Sequence, residues 1–252
     1  MTNTLLITGG ASGIGAETAR RAVALGYRIA VNYRSRDGQA KALVAEIEAK
    51  GGKAVALPGD MAQEADIVRL FTETERALGP ITHLVNSAGI DPVRCRVDEY
   101  DTATLERLFA INVVGLMLCC REATRRMSTR HGGKGGAIVN VSSMAATLGG
   151  RKAASAYAAT KGAVDAFTKG FAREVAAEGI RVNSIRPGAV TTEMTQDRLS
   201  DTAVRDAIAA SIPIQRIGEA HEIADAILWL LSDQASFITG AMLDASGGGY
   251  VI

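Results

Sequence analysis

A chain of 252 residues, 47% hydrophobic and 22% charged, has an ordinary globular composition and enough length to bury one large core. Its 28 lysines and arginines against 27 aspartates and glutamates leave no basic excess for a nucleic-acid backbone or an anionic membrane. No membrane span, signal peptide or disulfide framework is expected either. The longest unbroken apolar stretch, 226–231, is far below the ~20 residues a span needs, and Cys95, Cys119 and Cys120 form no CxxC. The expected compartment is a reducing cytoplasm.

Along the chain, short apolar runs at 5–7, 29–31, 54–57, 84–85, 137–141, 182–185 and 241–243 alternate with longer amphipathic stretches. The runs are mostly continuous rather than alternating, as in strands covered on both faces. The stretches at 16–25, 40–50, 62–78, 105–127, 155–177 and 219–230 carry helical spacing. Strand–helix repetition with right-handed crossovers predicts a doubly wound α/β fold. It has a parallel sheet of about seven strands and helices on both faces. Gly26, Gly51–Gly52, Gly79–Pro80 and Gly179 supply helix stops. The glycine-dense stretch 131–136 runs straight into the fifth strand and reads as a loop, so the whole of 1–252 forms one domain.

The first strand opens into Thr-Gly-Gly-Ala-Ser-Gly-Ile-Gly at 8–15, directly before the first helix. Gly9, Ser12, Gly13, Ile14 and Gly15 there allow a sharp turn and bring a pyrophosphate against backbone N–H groups at a helix N-terminus. The plain alternative is a tight strand–helix turn. The spacing G-x-G-x-x-G is not met, and no lysine follows the glycines as an ATP loop requires.

The second strand ends in Asn32-Tyr33-Arg34-Ser35-Arg36, where an NAD site wants a carboxylate for the ribose 2′-hydroxyl. Asp37 comes one or two positions late and reads as the start of the next helix. Two guanidinium groups in place of a carboxylate suit a 2′-phosphate, so NADP is expected over NAD. Alternatively, Arg34 and Arg36 decorate a surface turn.

Tyr157 and Lys161 sit i, i+4 in the predicted helix 155–177, which Ser155 can cap, so both polar ends share one face. A free phenol titrates near ~10, and an adjacent ammonium favours its ionised form. Lowering that value by about three units takes ~4 kcal/mol, within reach of one cation and a charged nicotinamide. Such a tyrosine exchanges a proton with an alcohol or carbonyl oxygen. Alone, the pair is also what a half-buried tyrosine and a solvated lysine look like.

These motifs occur in order with Asn86-Ser87-Ala88-Gly89, Asn112-x-x-Gly115, Ser142-Ser143 and Pro187-Gly188. Together they resemble the short-chain dehydrogenase/reductase family, from Leu5 to the C-terminus, and in particular its 3-oxoacyl-thioester reductases and glucose 1-dehydrogenase-like members. The resemblance implies a Rossmann-type fold and a homotetramer. It makes Tyr157 the acid/base and Lys161 the residue that holds the nicotinamide ribose and lowers the tyrosine pKa. Ser143 would bond the substrate oxygen, and Asn112 would anchor a water relay toward Lys161. Asp60 would contact the adenine, Asn86 the adenosine side, and Val190 and Thr192 the carboxamide. Met61, Ala88, Gly89, Pro187 and Gly188 complete the implied cofactor site, with Tyr33 and Arg34. Ala245-Ser246-Gly247-Gly248 stands where relatives often carry Val-Asp-Gly-Gly, and that position is expected to be structural.

Other residues are expected to carry no chemistry. His83, His131 and His221 lie far apart, His221-Glu222 lacks the second histidine of a zinc protease, and no metal site is expected. Cys119 and Cys120 read as buried packing, Trp229 as core or subunit interface, and Arg121, Arg125 and Arg126 with Glu122 as a solvated helix face.

Substrate contacts are expected from 90–96, 144–151 and a lid at 191–214. Arg94, Arg96, Arg151 and Lys152 line a basic mouth for an acyl carrier or are plain surface charge. The leading reading is an NADP-dependent oxidoreductase acting on a small carbonyl or secondary alcohol. An NAD(P)-linked sugar or polyol dehydrogenase and a non-catalytic dinucleotide sensor or scaffold stand as alternatives.

Overall fold

The computed structural model describes residues 3–91 and 95–249. Its elements in chain order begin with β1 (Thr4–Thr8), α1 (Gly13–Ala24), β2 (Arg28–Tyr33), α2 (Asp37–Ala49), β3 (Lys53–Pro58), α3 (Glu64–Leu78) and β4 (His83–Asn86). Next come α4 (Thr102–Phe109), α5 (Leu116–Met127), β5 (Gly136–Val141), α6 (Ala145–Leu148), α7 (Ser155–Val175) and β6 (Ile180–Pro187). The chain closes with β7 (Val190–Thr191), α8 (Glu193–Leu199), α9 (Thr202–Ser211), β8 (Gly218–Glu219), α10 (Ala220–Leu231) and β9 (Met242–Ala245). Seven strands pair in parallel in the order β3-β2-β1-β4-β5-β6-β9, the doubly wound arrangement the sequence predicts.

Alternation along each strand divides the core into two layers. Leu5, Ile7, Val31 and Val139 pack toward α1, α2 and α10, whereas Leu6, Ala30, Leu84 and Ile138 pack toward α3, α5 and α7. Both faces are covered, which is why the strands read as unbroken apolar runs. Burying each large side chain, such as Phe71, Ile138 or Leu84, contributes about 1.5–3 kcal/mol. The expected glycine stops hold: Gly26, Gly51, Gly79 and Gly179 all have φ between 78° and 84°.

The predicted helix 105–127 is part of a longer rod, Thr102–Met127, with a π-helical turn at Ala110–Gly115 between α4 and α5. Among the described residues it is the one helix long and apolar enough in composition to cross a membrane. Here its apolar stripe (Leu108, Ile111, Leu116, Cys119, Cys120, Ala123) is buried in the layer beneath the sheet, as a core helix. Gly115 is required where the rod crosses the loop after β3, because a Cβ there would lie 2.0 Å from the Met61 carbonyl oxygen.

Several expectations need correction. Ser155 does not cap α7: it is the first helical residue, Ala154 is the cap, and its hydroxyl pairs with that of Tyr100 at 2.6 Å. Arg121, Arg125 and Arg126 are not a merely solvated face, because all three converge on the buried Glu122 carboxylate. Arg121 also reaches Glu64, while Arg126 reaches Glu75 and lies 5.2 Å over the Phe71 ring, so the network ties α5 to α3. Burial works to raise the Glu122 carboxyl pKa, but Arg126 and Arg121 outweigh it and hold it below the usual range. Of the two readings of Trp229, core or subunit interface, its 39% exposure on α10 removes the first and leaves the second. The two-stranded ribbon β7–β8, which closes off the segment between them, carries no sequence signal of its own.

Candidate active site

A groove runs along the carboxyl edge of the sheet, and its floor is made by two backbone turns. Gly9, at φ +63°, follows β1 so closely under the turn after β4 that a Cβ would sit 2.7 Å from the Ala88 Cα. The Ala88 N–H donates to the Thr8 hydroxyl (3.2 Å) and the Gly9 N–H to the Asn32 side chain (3.2 Å), fixing the turn from both sides. Ser12 precedes α1 without a side-chain cap, so the first N–H groups of that helix remain as donors beside Gly13 and Ile14 on the groove wall. Gly15 departs from expectation. It does not line the groove; a Cβ there would meet the Gly9 carbonyl oxygen at 2.6 Å, so its role is to let α1 pack on the turn.

At one end of the groove stand Tyr33, Arg34, Ser35 and Arg36. Asp37 begins α2 as expected, and its carboxylate is held by the Tyr33 hydroxyl (2.6 Å) and Lys41 (2.7 Å), off the groove wall. Asn32 donates to the Gly59 carbonyl (3.1 Å) and so places Asp60 and Met61 on the wall. Burial works to raise the Asp60 pKa, but Arg107 at 2.7 Å, the Ala62 N–H and the charge of Arg34 keep it below its ordinary value.

Asn86 is a second correction. Its side chain lies inside the sheet layer, donating to Asn140 (2.9 Å) and Cys120 Sγ (3.4 Å), and does not reach the groove; Ser87, Ala88 and Gly89 do. Asn112 is buried close to Lys161: its Oδ1 and the Lys161 Nζ would lie 3.5 and 3.7 Å from a Cβ at Gly89. Its amide accepts from the Ile90 N–H (2.9 Å), donates to the Ile90 carbonyl (2.9 Å) and reaches Thr160 (3.3 Å), clamping the turn after β4 to the π-helical segment. The buried Cys119 and Cys120 pack as expected, and burial pushes the Cys120 thiol up to about 12.

The side chains expected to carry the chemistry meet at the other end. Ser142 is buried and donates to the Lys161 carbonyl (3.2 Å), whereas Ser143 faces the opening and accepts from the Ala145 N–H (3.1 Å). Lys161 is 5% exposed, donates to the Val141 carbonyl at 2.8 Å and sits 5.6 Å from the Tyr157 ring centroid. Burial pulls its pKa down to about 8, against the opposing pull of Asp165 and then Asp91. Pro187, Gly188, Val190 and Thr192 close the wall from β6 and β7.

Ser143 and Tyr157 also line a second cavity of about 590 Å³, together with Asp91, Pro187, Gly188, Met194 and Thr195. Met144, Leu148, Ile208 and Ile212 give it apolar walls; Asp91, Arg151, Asp197 and Arg198 bring two charges of each sign. Of the four basic residues read either as a mouth or as plain surface charge, only one of the described ones reaches the cavity. Arg151 is on the wall, Arg96 pairs with Asp98 (3.0 Å), Lys152 is off the wall, and Arg94 lies outside the described residues. Ser246, expected to be only structural, lines the cavity and approaches Gly188, where a Cβ would come within 2.9 Å of it.

A family model described as enoyl-(acyl carrier protein) reductase matches residues 9–250. The chain belongs to the short-chain dehydrogenase/reductase family. Among its relatives, "Uncharacterized oxidoreductase YgfF" of Escherichia coli (strain K12) is 45% identical over 96% of this chain and 98% of that protein. L-rhamnose 1-dehydrogenase (NAD(P)(+)) of Sphingomonas sp. (strain SKA58) is 36% identical, covering 98% and 96%. The 3-oxoacyl-[acyl-carrier-protein] reductase FabG of Staphylococcus aureus (strain Mu50 / ATCC 700699) is 35% identical, covering 100% and 99%. A blue fluorescent protein from a metagenomic library, solved in complex with NADPH, superposes with a TM-score of 0.89 at 33% identity, covering 99% and 98%. This short-chain dehydrogenase/reductase is thus an oxidoreductase of CH–OH and C=O groups, in a family that binds NAD(P).

Proposed function

We propose that the protein is an NADP(H)-dependent oxidoreductase interconverting a small carbonyl compound and its alcohol, with Tyr157 as acid/base. The observation that carries this reading is the meeting of Tyr157 and Ser143 at the junction of the dinucleotide-sized groove and the 590 Å³ cavity, with Lys161 behind the tyrosine. The groove fits a dinucleotide. Its floor at Gly9 is a cradle that any Cβ would fill, and the open N-terminus of α1 offers donors to a pyrophosphate. When bound, the cofactor supplies or accepts the hydride.

Gly13, Ile14 and Ser12 hold the pyrophosphate side, Asp60 and Met61 the adenine side, and Val190 and Thr192 the carboxamide side. Arg34, with Tyr33, holds the 2′-phosphate, because the nearby carboxylate of Asp37 is already paired with Tyr33 and Lys41. Ser143 donates to the substrate oxygen and stabilises the charge that grows on it. Tyr157 delivers the proton in reduction and removes it in oxidation, and the Lys161 ammonium favours its ionised form. The segment 191–214, which contains α8 and α9, forms the lid over the cavity, with Met194, Ile208 and Ile212 facing inward.

A sugar or polyol is the second reading. The charged groups on the cavity wall and the similarity to L-rhamnose 1-dehydrogenase support it. Three free cysteines suit a reducing cytoplasm. The exposed Phe109 and Val114 on the Thr102–Met127 rod favour a homo-oligomer, in keeping with the expected tetramer.

The test is a fluorescence titration with NADPH and NADH, followed by cofactor turnover over simple ketones, 3-oxoacyl thioesters and aldoses. NADPH is expected to bind at least tenfold tighter than NADH, and Arg34→Ala to erase about tenfold of that preference. Equal affinities would remove the NADP assignment, and absence of turnover across the panel would remove these substrates.

A further inference from the structure

Lys161 and Asp165 lie one turn apart on α7, and both are almost fully buried, at 5% and 6% exposure. A buried ammonium is costly to keep charged unless an opposite charge and hydrogen bonds attend it. The Val141 carbonyl supplies a dipole at 2.8 Å but no charge. Asp165 supplies the charge, and its carboxylate is fixed in place. One oxygen accepts from the Ser184 hydroxyl (3.2 Å) and the other from Arg186 Nε (2.7 Å), both on β6. Arg186 in turn reaches Asp244 on β9 at 3.3 Å. From the last strand inward, the row Asp244, Arg186, Asp165, Lys161 alternates in sign beneath the carboxyl edge of the sheet and ends below Tyr157.

We propose that Asp165 is a positioning residue that keeps the Lys161 ammonium charged under Tyr157, and that Arg186 sets how much of the Asp165 field reaches the lysine. This rests on the roles of Tyr157 and Lys161 given above. Among the described residues, the other titratable groups facing Lys161 are Tyr157 on its own helix and Asp91 on the turn after β4. Of the two carboxylates, Asp165 opposes the effect of burial more strongly than Asp91. With burial already drawing Lys161 to about 8, the loss of one partner discharges it within the neutral range.

The experiment follows the titration of Lys161 itself in protein labelled with ¹³C at lysine Cε, the signal being assigned by its loss in Lys161→Met. The wild-type midpoint is expected near about 8. Asp165→Asn should lower it by about one unit, Arg186→Gln should raise it, and Asp165→Glu should restore the wild-type value. In kcat/KM, Asp165→Asn should match the wild type near pH ~6 and fall about fivefold below it near pH ~8, following the fraction of charged lysine. An unchanged midpoint in Asp165→Asn, shifts of the same sign in Asp165→Asn and Arg186→Gln, or a loss of activity uniform in pH would each overturn the inference. Opposite midpoint shifts in a protein that turns over no carbonyl would support the inference and overturn the proposed chemistry.

Discussion

At the amino-terminal edge of the sheet, Thr4 and Thr82 bond across β1 and β4, and Arg181 donates to the carbonyls of Leu230, Leu231 and Ser232 that end α10. His83 is buried there, bonded to Thr82 at 2.8 Å, with its ring edge-on to Tyr27 at 5.1 Å. At the carboxyl edge the same strands end in Gly9, Ser143, Tyr33 and Pro187, whose neighbours leave an open groove. One edge closes its polar groups on one another, and the other presents them to a ligand. Parallel strands make this division natural, since every loop at one end follows a strand and every loop at the other precedes one.

The largest expected effect on this contrast comes from Tyr157→Phe, which should lower kcat by about 10²–10⁴-fold while leaving NADPH affinity and melting temperature nearly unchanged. Stopped-flow turnover alongside calorimetry checks it; retention of most activity would move the acid/base role elsewhere.

Next is a pH effect at the opposite edge. Burial draws the His83 pKa from 6.5 down to about 4, with a hydrogen bond donated by the ring to the Leu231 carbonyl opposing it. A depressed folded-state value means the neutral ring stabilises the fold above about 6.5, and that contribution is lost as pH falls toward about 4. Urea unfolding should show about 3 kcal/mol lost across this window, and His83→Gln should flatten the slope without altering kcat at neutral pH.

The smallest effect of the three is at Arg181. Arg181→Met leaves three helix-end carbonyls without their cationic donor and should cost about 2 kcal/mol, a melting temperature lower by about 4–8 °C. Activity per folded molecule should be unchanged at 25 °C; a specific loss of turnover would mean that the two edges are coupled.

How far the sequence carried this reading depended on whether the signal was local. The seven strands, the glycine turn and the Tyr157–Lys161 pair are written in runs of adjacent residues or one helical turn, and the structure places them as read. Both serines after β5 reach the groove, but Ser142 is buried and bonded to the Lys161 carbonyl, whereas Ser143 also lines the adjoining cavity. What escaped depends on contacts distant in sequence. Asn86 turns inward because Asn140 and Cys120 happen to stand beside it. Glu122 is buried because α3 packs over α5, and Ser246 joins the cavity because β9 lies beside β6. A π-helical turn between two ordinary helices has no pattern of its own, although the glycine that makes it fit, Gly115, was visible as part of a motif.

The near contact of Gly9 with Ala88 bears on any attempt to retune coenzyme choice. Two main chains touch there, so the middle of the binding trough has no side chain to exchange and a methyl group would already collide. On the function proposed above, selectivity swaps therefore belong at the rim, on the exposed Arg34, Ser35 and Arg36, where bulk and charge can change without reshaping the bed beneath.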